Sequence, residues 1–281
     1  MVRVISPLLK WAGGKRQLLA ALNSRLPHDW NDFYEPFFGG GAFFISLVNQ
    51  GRISRAVISD LNSELVNFYR VVKTSPEKLA DALSDDCFEN SDSAYTRMRD
   101  EFNDTVPDKH NAVRRAALFV FLNKHGYNGL WRVNSRGKFN VPFGRYAKRS
   151  LPSASAIHLF STMLRPVTLL NADFEKAVRT AKKGDFIYFD PPYHPLSKTA
   201  HFTGYTGAGF SFDNQVRLAG VFDTLTKKGV QVMLSNSKVQ DIEDLYEGYK
   251  IETVAATRCI NCKGKKRSGM SEIIVTNYDF K

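Results

Sequence analysis

Cysteine is scarce in this 281-residue chain: Cys87, Cys259 and Cys262 are the only three. That is too few for a disulfide framework at this length, and it suits a reducing compartment. Cys259 and Cys262 have a spacing that can hold a metal, but no second pair completes the set, so no metal is expected. Long apolar runs are also missing, because nothing approaches the roughly 18–20 uninterrupted apolar residues of a membrane helix. The N-terminal stretch carries Lys10, Lys15 and Arg16 and has no apolar signal segment, so the expected location is the cytoplasm. Acidic residues are in deficit, 28 against 39 Lys and Arg, for a formal net charge of +11 and a pI near 9.5. A chain this basic fits a polyanionic partner. With 43% hydrophobic and 24% charged residues, it otherwise reads as a globular protein of one or two domains.

The positive charge is concentrated. Between Lys124 and Arg149 lie seven basic residues (Lys124, Arg132, Arg136, Lys138, Arg145, Lys148, Arg149) and no acid. Tyr127, Trp131, Phe139, Phe143 and Tyr146 are interleaved with them. A basic run alone is more often a solvated face, but the aromatic, Gly and Asn content favours a nucleic-acid contact surface. A second cluster, Lys263, Lys265, Lys266 and Arg267, either touches phosphates or is merely solvated.

Strand and helix signals alternate at both ends of the chain. The pattern predicts a helix from Lys15 to Leu26, a strand at 33–35, a helix at 42–48 and a strand at 55–59. From residue 63 to about 150 it turns helical and then basic-aromatic, and reads as an insert. Strand 166–171, helix 173–181, strand 186–189, helix 212–228, strand 230–235 and two strands at 250–255 and 272–277, able to pair antiparallel, follow. The simplest assembly is an α/β fold: one mainly parallel sheet with an antiparallel edge, built from both chain ends around a helical insert.

Three stretches carry chemistry. In FIYFDPPYHPL a buried strand, Phe186 to Phe189, ends in Asp190, and Pro191 and Pro192 force the chain out of the sheet in a stiff conformation. Strand ends of that kind carry sites in open α/β sheets. In YEPFFGGGAFF, three consecutive glycines between strand and helix let the backbone take positive φ and approach a ligand. The spacing is not that of a dinucleotide fold, so an adenosyl group without pyrophosphate fits better. Asp60, at the next strand end, is placed to take ribose hydroxyls, or simply to cap the following helix. KWAGGKRQLL lacks the first glycine of a phosphate-binding loop and has Arg16 where Ser or Thr should hold magnesium. Instead Trp11 can cover a ligand face and Lys15 can reach a carboxylate.

With SDLNSEL, NKHGYNGLWRVNSRGKFNVPFGRY, FTGYTGAGFS, VMLSNS and EIIVTNY in order along the chain, the sequence resembles the Dam-type DNA adenine-N6 methyltransferases of bacteria and phage. The resemblance implies a Rossmann-like S-adenosylmethionine-dependent methyltransferase sheet. Residues 1–62 and 151–281 would form the catalytic domain and 63–150 the target-recognition insert. It implies S-adenosylmethionine as cofactor, held around Trp11, Lys15, Phe37, Phe38, Gly39, Asp60 and Asp190. It also implies double-stranded DNA as partner in a bacterial cell, with no membrane, no metal and a monomer in solution.

The chemistry gives the DPPY residues a reason. The adenine amino nitrogen is a poor nucleophile, its lone pair delocalised into the ring. Asp190 and the Pro191 carbonyl can accept from that amino group, the two prolines fix the acceptors, and Tyr193 can stack on a base flipped from the duplex. Transfer is then direct, with no covalent intermediate. In GATC-reading members, the matching insert residues imply that Arg132 reads a guanine and Lys10 the outer guanine. They imply that Leu130 and Pro142 pack on thymine methyls and that Tyr127 enters the base stack. Asn128, Arg145 and Tyr146 complete the expected DNA-contacting set, and Trp131 is bulkier than the family pattern. The first alternative is an N6-adenine enzyme with another recognition sequence; less favoured are an N4-cytosine enzyme, which commonly has serine in place of Asp190, an inactive DNA-binding homologue, and a protein or RNA methyltransferase, disfavoured by the duplex-reading insert.

Overall fold

A computed structural model describes residues 4–148, 151–193, 210–256 and 270–280. Cys259, Cys262, the 263–267 basic cluster, Arg149 and most of the FTGYTGAGFS stretch lie outside them.

Among the described residues, seven strands make one sheet: β1 (Phe33–Glu35), β2 (Ala56–Ser59), β3 (Val167–Leu170), β4 (Phe186–Phe189), β5 (Gln231–Ser237), β6 (Lys250–Ala256) and β7 (Met270–Thr276), in the order β3-β2-β1-β4-β5-β7-β6. The first five run parallel, and β7 pairs antiparallel with both β5 and β6. The expected α/β sheet with an antiparallel edge is therefore present. Every side chain of β4 is buried, as a central parallel strand covered on both faces requires. Alternation sorts them: Phe186 and Tyr188 join Phe33 and Phe43 on one face, while Ile187 and Phe189 join Tyr34, Leu218 and Phe222 on the other.

The helices are α1 (Leu19–Asn23), α2 (Ala42–Asn49), α3 (Ser63–Thr74), α4 (Pro76–Leu83), α5 (Asp92–Asp104), α6 (Ala112–His125), α7 (Ala154–Leu164), α8 (Phe174–Ala177), α9 (Phe212–Lys227) and α10 (Gln240–Leu245). Serine side chains cap α5, α7 and α9 through Ser91, Ser153 and Ser211, each accepting from a backbone N–H of the first turn. The helix expected from Lys15 to Leu26 is instead a 3-10 turn at Lys15–Gln17 followed by the short α1. Lys15 bends back to donate to Gly13 O, and the chain leaves the helix before Pro27. Helix α8 also stops early, its continuation replaced by tight turns in which Arg179 N and Ala181 N bond three residues back. One apolar cluster runs without a break from Phe33, Phe43 and Tyr188 on the sheet to Phe119, Phe121 and Trp131 in the helical block.

The strand order reverses between β1 and β4. At that switch point the loops leaving the C-terminal ends of adjacent parallel strands part and open a crevice.

Candidate active site

Three acids stand at the C-terminal ends of parallel strands. Glu35 is the last residue of β1, Asp60 follows β2 and Asp190 follows β4. Between β1 and α2 the chain turns through the glycines, with φ of +49° at Gly39 and +65° at Gly41. The room matters as much as the angle. A Cβ on Gly39 would lie 2.7 Å from Trp11 Cδ1, and one on Gly40 2.9 Å from Trp11 Cβ, so Trp11 rests directly on this backbone. Phe38 turns into the core, buried against Tyr69 with ring centroids 4.9 Å apart. Its part in the loop is therefore played by its backbone. Phe37 turns the other way, stacked on Phe174 at 5.5 Å.

Asp60 stitches this loop to the next strand end. Oδ2 accepts from Gly39 N at 3.0 Å and Oδ1 from Asn62 N at 2.9 Å. The helix-capping alternative falls away, because Asn62 caps α3, accepting from Glu64 N and Leu65 N. Burial raises the Asp60 carboxyl above the usual range, opposed by those backbone donors.

Asp190 is the hub on the other side. Lys15 Nζ lies 2.7 Å from its Oδ1, and Ser235 Oγ donates to the same oxygen at 3.0 Å. Ser235 in turn shares a 2.8 Å hydrogen bond with Tyr188 OH. Burial raises the Asp190 carboxyl, and Lys15 and then Ser235 oppose the rise. Pro192 O accepts from Gln215 Nε2 at 3.1 Å, and Gln215 Oε1 accepts from Asn236 Nδ2 at 3.0 Å. Tyr193 OH donates to Glu272 Oε2 at 2.6 Å, with Lys15 Nζ 4.4 Å from its ring centroid. The structure thus brings Trp11, Lys15, Gly39, Asp60, Asp190 and Tyr193 to one end of the sheet. It adds Glu35, Ser235, Gln215 and Glu272, which sequence reasoning did not single out. Glu35 is 3% exposed, its Oε2 has no hydrogen-bond partner, and its carboxyl is raised well above the ordinary value by burial and then by Asp190. Its position at a strand end, like those of Asp60 and Asp190, was the available signal.

Part of the insert packs on the N-terminal loop that carries Trp11. Lys10 Nζ lies 3.8 Å from the Tyr146 ring centroid, and Tyr146 OH accepts from Asn128 N at 2.9 Å and donates to Gly126 O at 3.3 Å. Tyr127, Asn128, Arg132, Pro142 and Arg145 are exposed, and Leu130 is half-buried. Asn128 (φ +54°) and Arg145 (φ +51°) are the described non-glycine residues in the left-handed region, a conformation held against its intrinsic cost. Arg132 Nε donates to Asn140 Oδ1 at 2.8 Å and Nη2 to Asn140 O at 3.1 Å. The extra bulk of Trp131 is absorbed by the core, its ring 4.6 Å from Phe119 and 4.8 Å from Phe139. The basic run is not uniformly free: Lys138 pairs with Asp104 at 3.0 Å. Lys124 is half-buried and pushed down to about 8 by burial, with Lys10 and Arg16 adding to the shift.

These residues fit an adenosyl cofactor that carries an amino acid tail. The glycine backbone under Trp11 has no room for side chains, Asp60 keeps lone pairs for hydroxyls, and Glu35 Oε2 is an orphaned buried acceptor suited to an ammonium. Comparison with known proteins agrees. The profile of the D12 class N6 adenine-specific DNA methyltransferases matches residues 11–260. The Type II methyltransferase M1.LlaDCHI of Lactococcus lactis subsp. cremoris is 46% identical over 98% of this chain and 96% of its own length. The Type II methyltransferase M.MjaIII of Methanocaldococcus jannaschii is 42% identical over 98% and 99%. A DNA adenine methylase of Escherichia coli K12 is 34% identical over 95% and 93%.

Proposed function

We propose, from the premise that the chain belongs to the D12 class of N6 adenine-specific DNA methyltransferases, that its target is the adenine of GATC in duplex DNA, methylated after the base is flipped out. Bound S-adenosylmethionine supplies an electrophilic methyl carbon on its sulfonium. Trp11, Gly39 and Asp60 would hold its adenosyl part, and Glu35 and Lys15 would take its charged tail.

The rest falls to the protein's own atoms. Both side-chain donors to Asp190 arrive on Oδ1, which leaves Oδ2 to accept from the adenine amino group, with the Pro191 carbonyl as second acceptor. Two acceptors drawing on the two amino hydrogens localise the nitrogen lone pair, and acceptors fixed beforehand need no reorganisation. Gln215, through Pro192 O, keeps the turn in place. Burial makes Asp190 more basic than an exposed carboxylate, so Oδ2 can take the proton the methylated nitrogen sheds. With its hydroxyl on Glu272, Tyr193 offers a ring to the extruded base.

Residues 1–62 and 151–281 do the chemistry, and 63–150 read the sequence through Arg132, Tyr127, Leu130 and Pro142, with Lys10 reaching in from the catalytic side. The convergence of Lys15, Ser235 and Asp190 beside Gly39 and Asp60 supports this reading most directly. The test is plasmid DNA from an expressing, methylation-deficient host, challenged with endonucleases that sense adenine methylation. Protection at GATC is the expected result. Protection at another adenine-containing site would replace the recognition sequence, and no protection anywhere would remove the proposal.

A further inference from the structure

Asn123 is fully buried near the end of α6, directly after the apolar run from Ala116 to Leu122. A buried amide is costly unless its polar atoms are paired. Here they are paired with two distant segments. Oδ1 accepts from Lys10 N at 2.9 Å, and Nδ2 donates to Lys10 O at 2.6 Å and to Gly129 O at 3.4 Å. The side chain therefore grips both backbone groups of Lys10 as a neighbouring strand would, and it holds the Tyr127–Gly129 turn at the same time. Contact at the junction is tight: a Cβ on Gly129, which has φ of +63°, would lie 2.4 Å from Lys10 Cβ. On the insert side of the junction stand Asn128 and Leu130. On the catalytic side Lys10 is followed by Trp11, which lies on Gly39 and Gly40, and then by Lys15 on Asp190.

We infer that Asn123 is a positioning residue that couples DNA reading to the cofactor pocket. A displacement of the Tyr127–Gly129 turn against its base pairs passes through the amide to Lys10 and Trp11, and so to the glycine loop beneath Trp11. The inference rests on the proposed DNA contact of that turn. It makes the two ligands thermodynamically linked: correct DNA tightens the cofactor site, and by reciprocity the cofactor tightens correct DNA.

The experiment measures S-adenosylhomocysteine binding by calorimetry with no DNA, with a duplex carrying the site the enzyme methylates, and with a duplex lacking it. Wild type is expected to bind about 5-fold or more tighter on the correct duplex. Asn123→Ala is expected to bring that ratio to about one, leaving the DNA-free affinity within roughly twofold. A residue that only packs the core would lower stability and shift all three affinities together, leaving the ratio intact. A folded Asn123→Ala protein with the wild-type ratio, or a wild-type ratio of one, overturns the inference. If the variant does not melt cooperatively, amide hydrogen exchange on wild type decides. Correct duplex without cofactor must slow exchange at Lys10, whose N–H is the donor to Asn123. Unchanged exchange there overturns the coupling. A wild-type protein that methylates no DNA would instead remove the proposed function itself.

Discussion

Lys15 Nζ stands 2.7 Å from Asp190 Oδ1, the two side chains being 12% and 17% exposed. In so dry a setting the ammonium governs how readily the carboxyl ionises, since an opposite charge favours the charged form. It also joins the N-terminal loop to the DPPY turn, segments far apart in sequence.

Removing that ammonium should therefore move the pH dependence of turnover. Burial already raises the Asp190 carboxyl and Lys15 opposes the rise, so Lys15→Ala lets it climb further. Less of the carboxylate is then present at any given pH, and the acid limb of kcat shifts to higher pH. Lys15→Arg keeps a positive charge and should restore most of the limb's position. Profiles at saturating cofactor and DNA test this, and an unmoved limb in Lys15→Ala would separate the pair from catalysis. Calorimetry on Lys15→Ala and Asp60→Ala should show weaker cofactor binding in both.

Asp190→Ala removes the proposed acceptor without touching a phosphate contact. Methyl transfer should fall by at least about 10²–10³-fold, the scale of losing one pre-organised catalytic group. Duplex affinity, measured by fluorescence anisotropy, should stay close to wild type. Retained turnover would mean that Asp190 serves the fold and not the base.

Glu35 gives a prediction in stability. Its folded-state carboxyl is raised well above the ordinary glutamate value by burial. The native state therefore holds a proton that the unfolded chain releases, and stability falls as pH climbs above that value. Glu35→Gln has no proton to lose. Without cofactor, its melting temperature should gain on wild type as pH rises above the ordinary glutamate range, until the buried carboxyl has itself ionised. S-adenosylhomocysteine affinity should drop in the same variant. A gap independent of pH would show that Glu35 is not held protonated.

Much of this was legible in the chain. β1, β2 and β4 are short apolar runs closed by charged, glycine or proline residues, and β4 begins and ends where FIYF does. Lys15, Asp60 and Asp190 could be picked out because each is a charged residue beside a glycine or proline turn or at a strand end. Glu35 also closes its strand, but it lies before Pro36 and the glycine turn and so reads as the last step of the strand and not as part of the turn. Ser235 and Glu272 are hidden for another reason: they reach Asp190 and Tyr193 across 45 and 79 residues, through strand neighbours that only the sheet order creates. Helix α5 falls within the stretch that reads as helical, but its bounds are not legible because its buried stripe, Ala94, Tyr95, Met98 and Phe102, is thin among charged residues. Trp131 looked out of place beside Arg132 until packing put the two side chains on opposite sides, one in the core and one exposed.

Specificity is the most exposed prediction. Asn140 holds Arg132 through Nε and one hydrogen of Nη2, which leaves the Nη1–Nη2 edge to present two parallel N–H groups. That edge matches guanine O6 and N7 in the major groove. Arg132→Ala should cost about 1–3 kcal/mol and relax discrimination at that one base pair. Arg132→Lys should rescue it only in part, because an ammonium lacks the planar fork. Asn140→Ala, which frees the guanidinium without removing it, should give a smaller loss at the same base pair. Lys148→Ala should instead weaken all duplexes alike and flatten the salt dependence by about one phosphate, a slope change near 0.9. Methylation kinetics on duplexes with single substitutions in GATC, at fixed salt, separate these outcomes. A uniform loss across the panel in Arg132→Ala would reduce that arginine to a backbone contact.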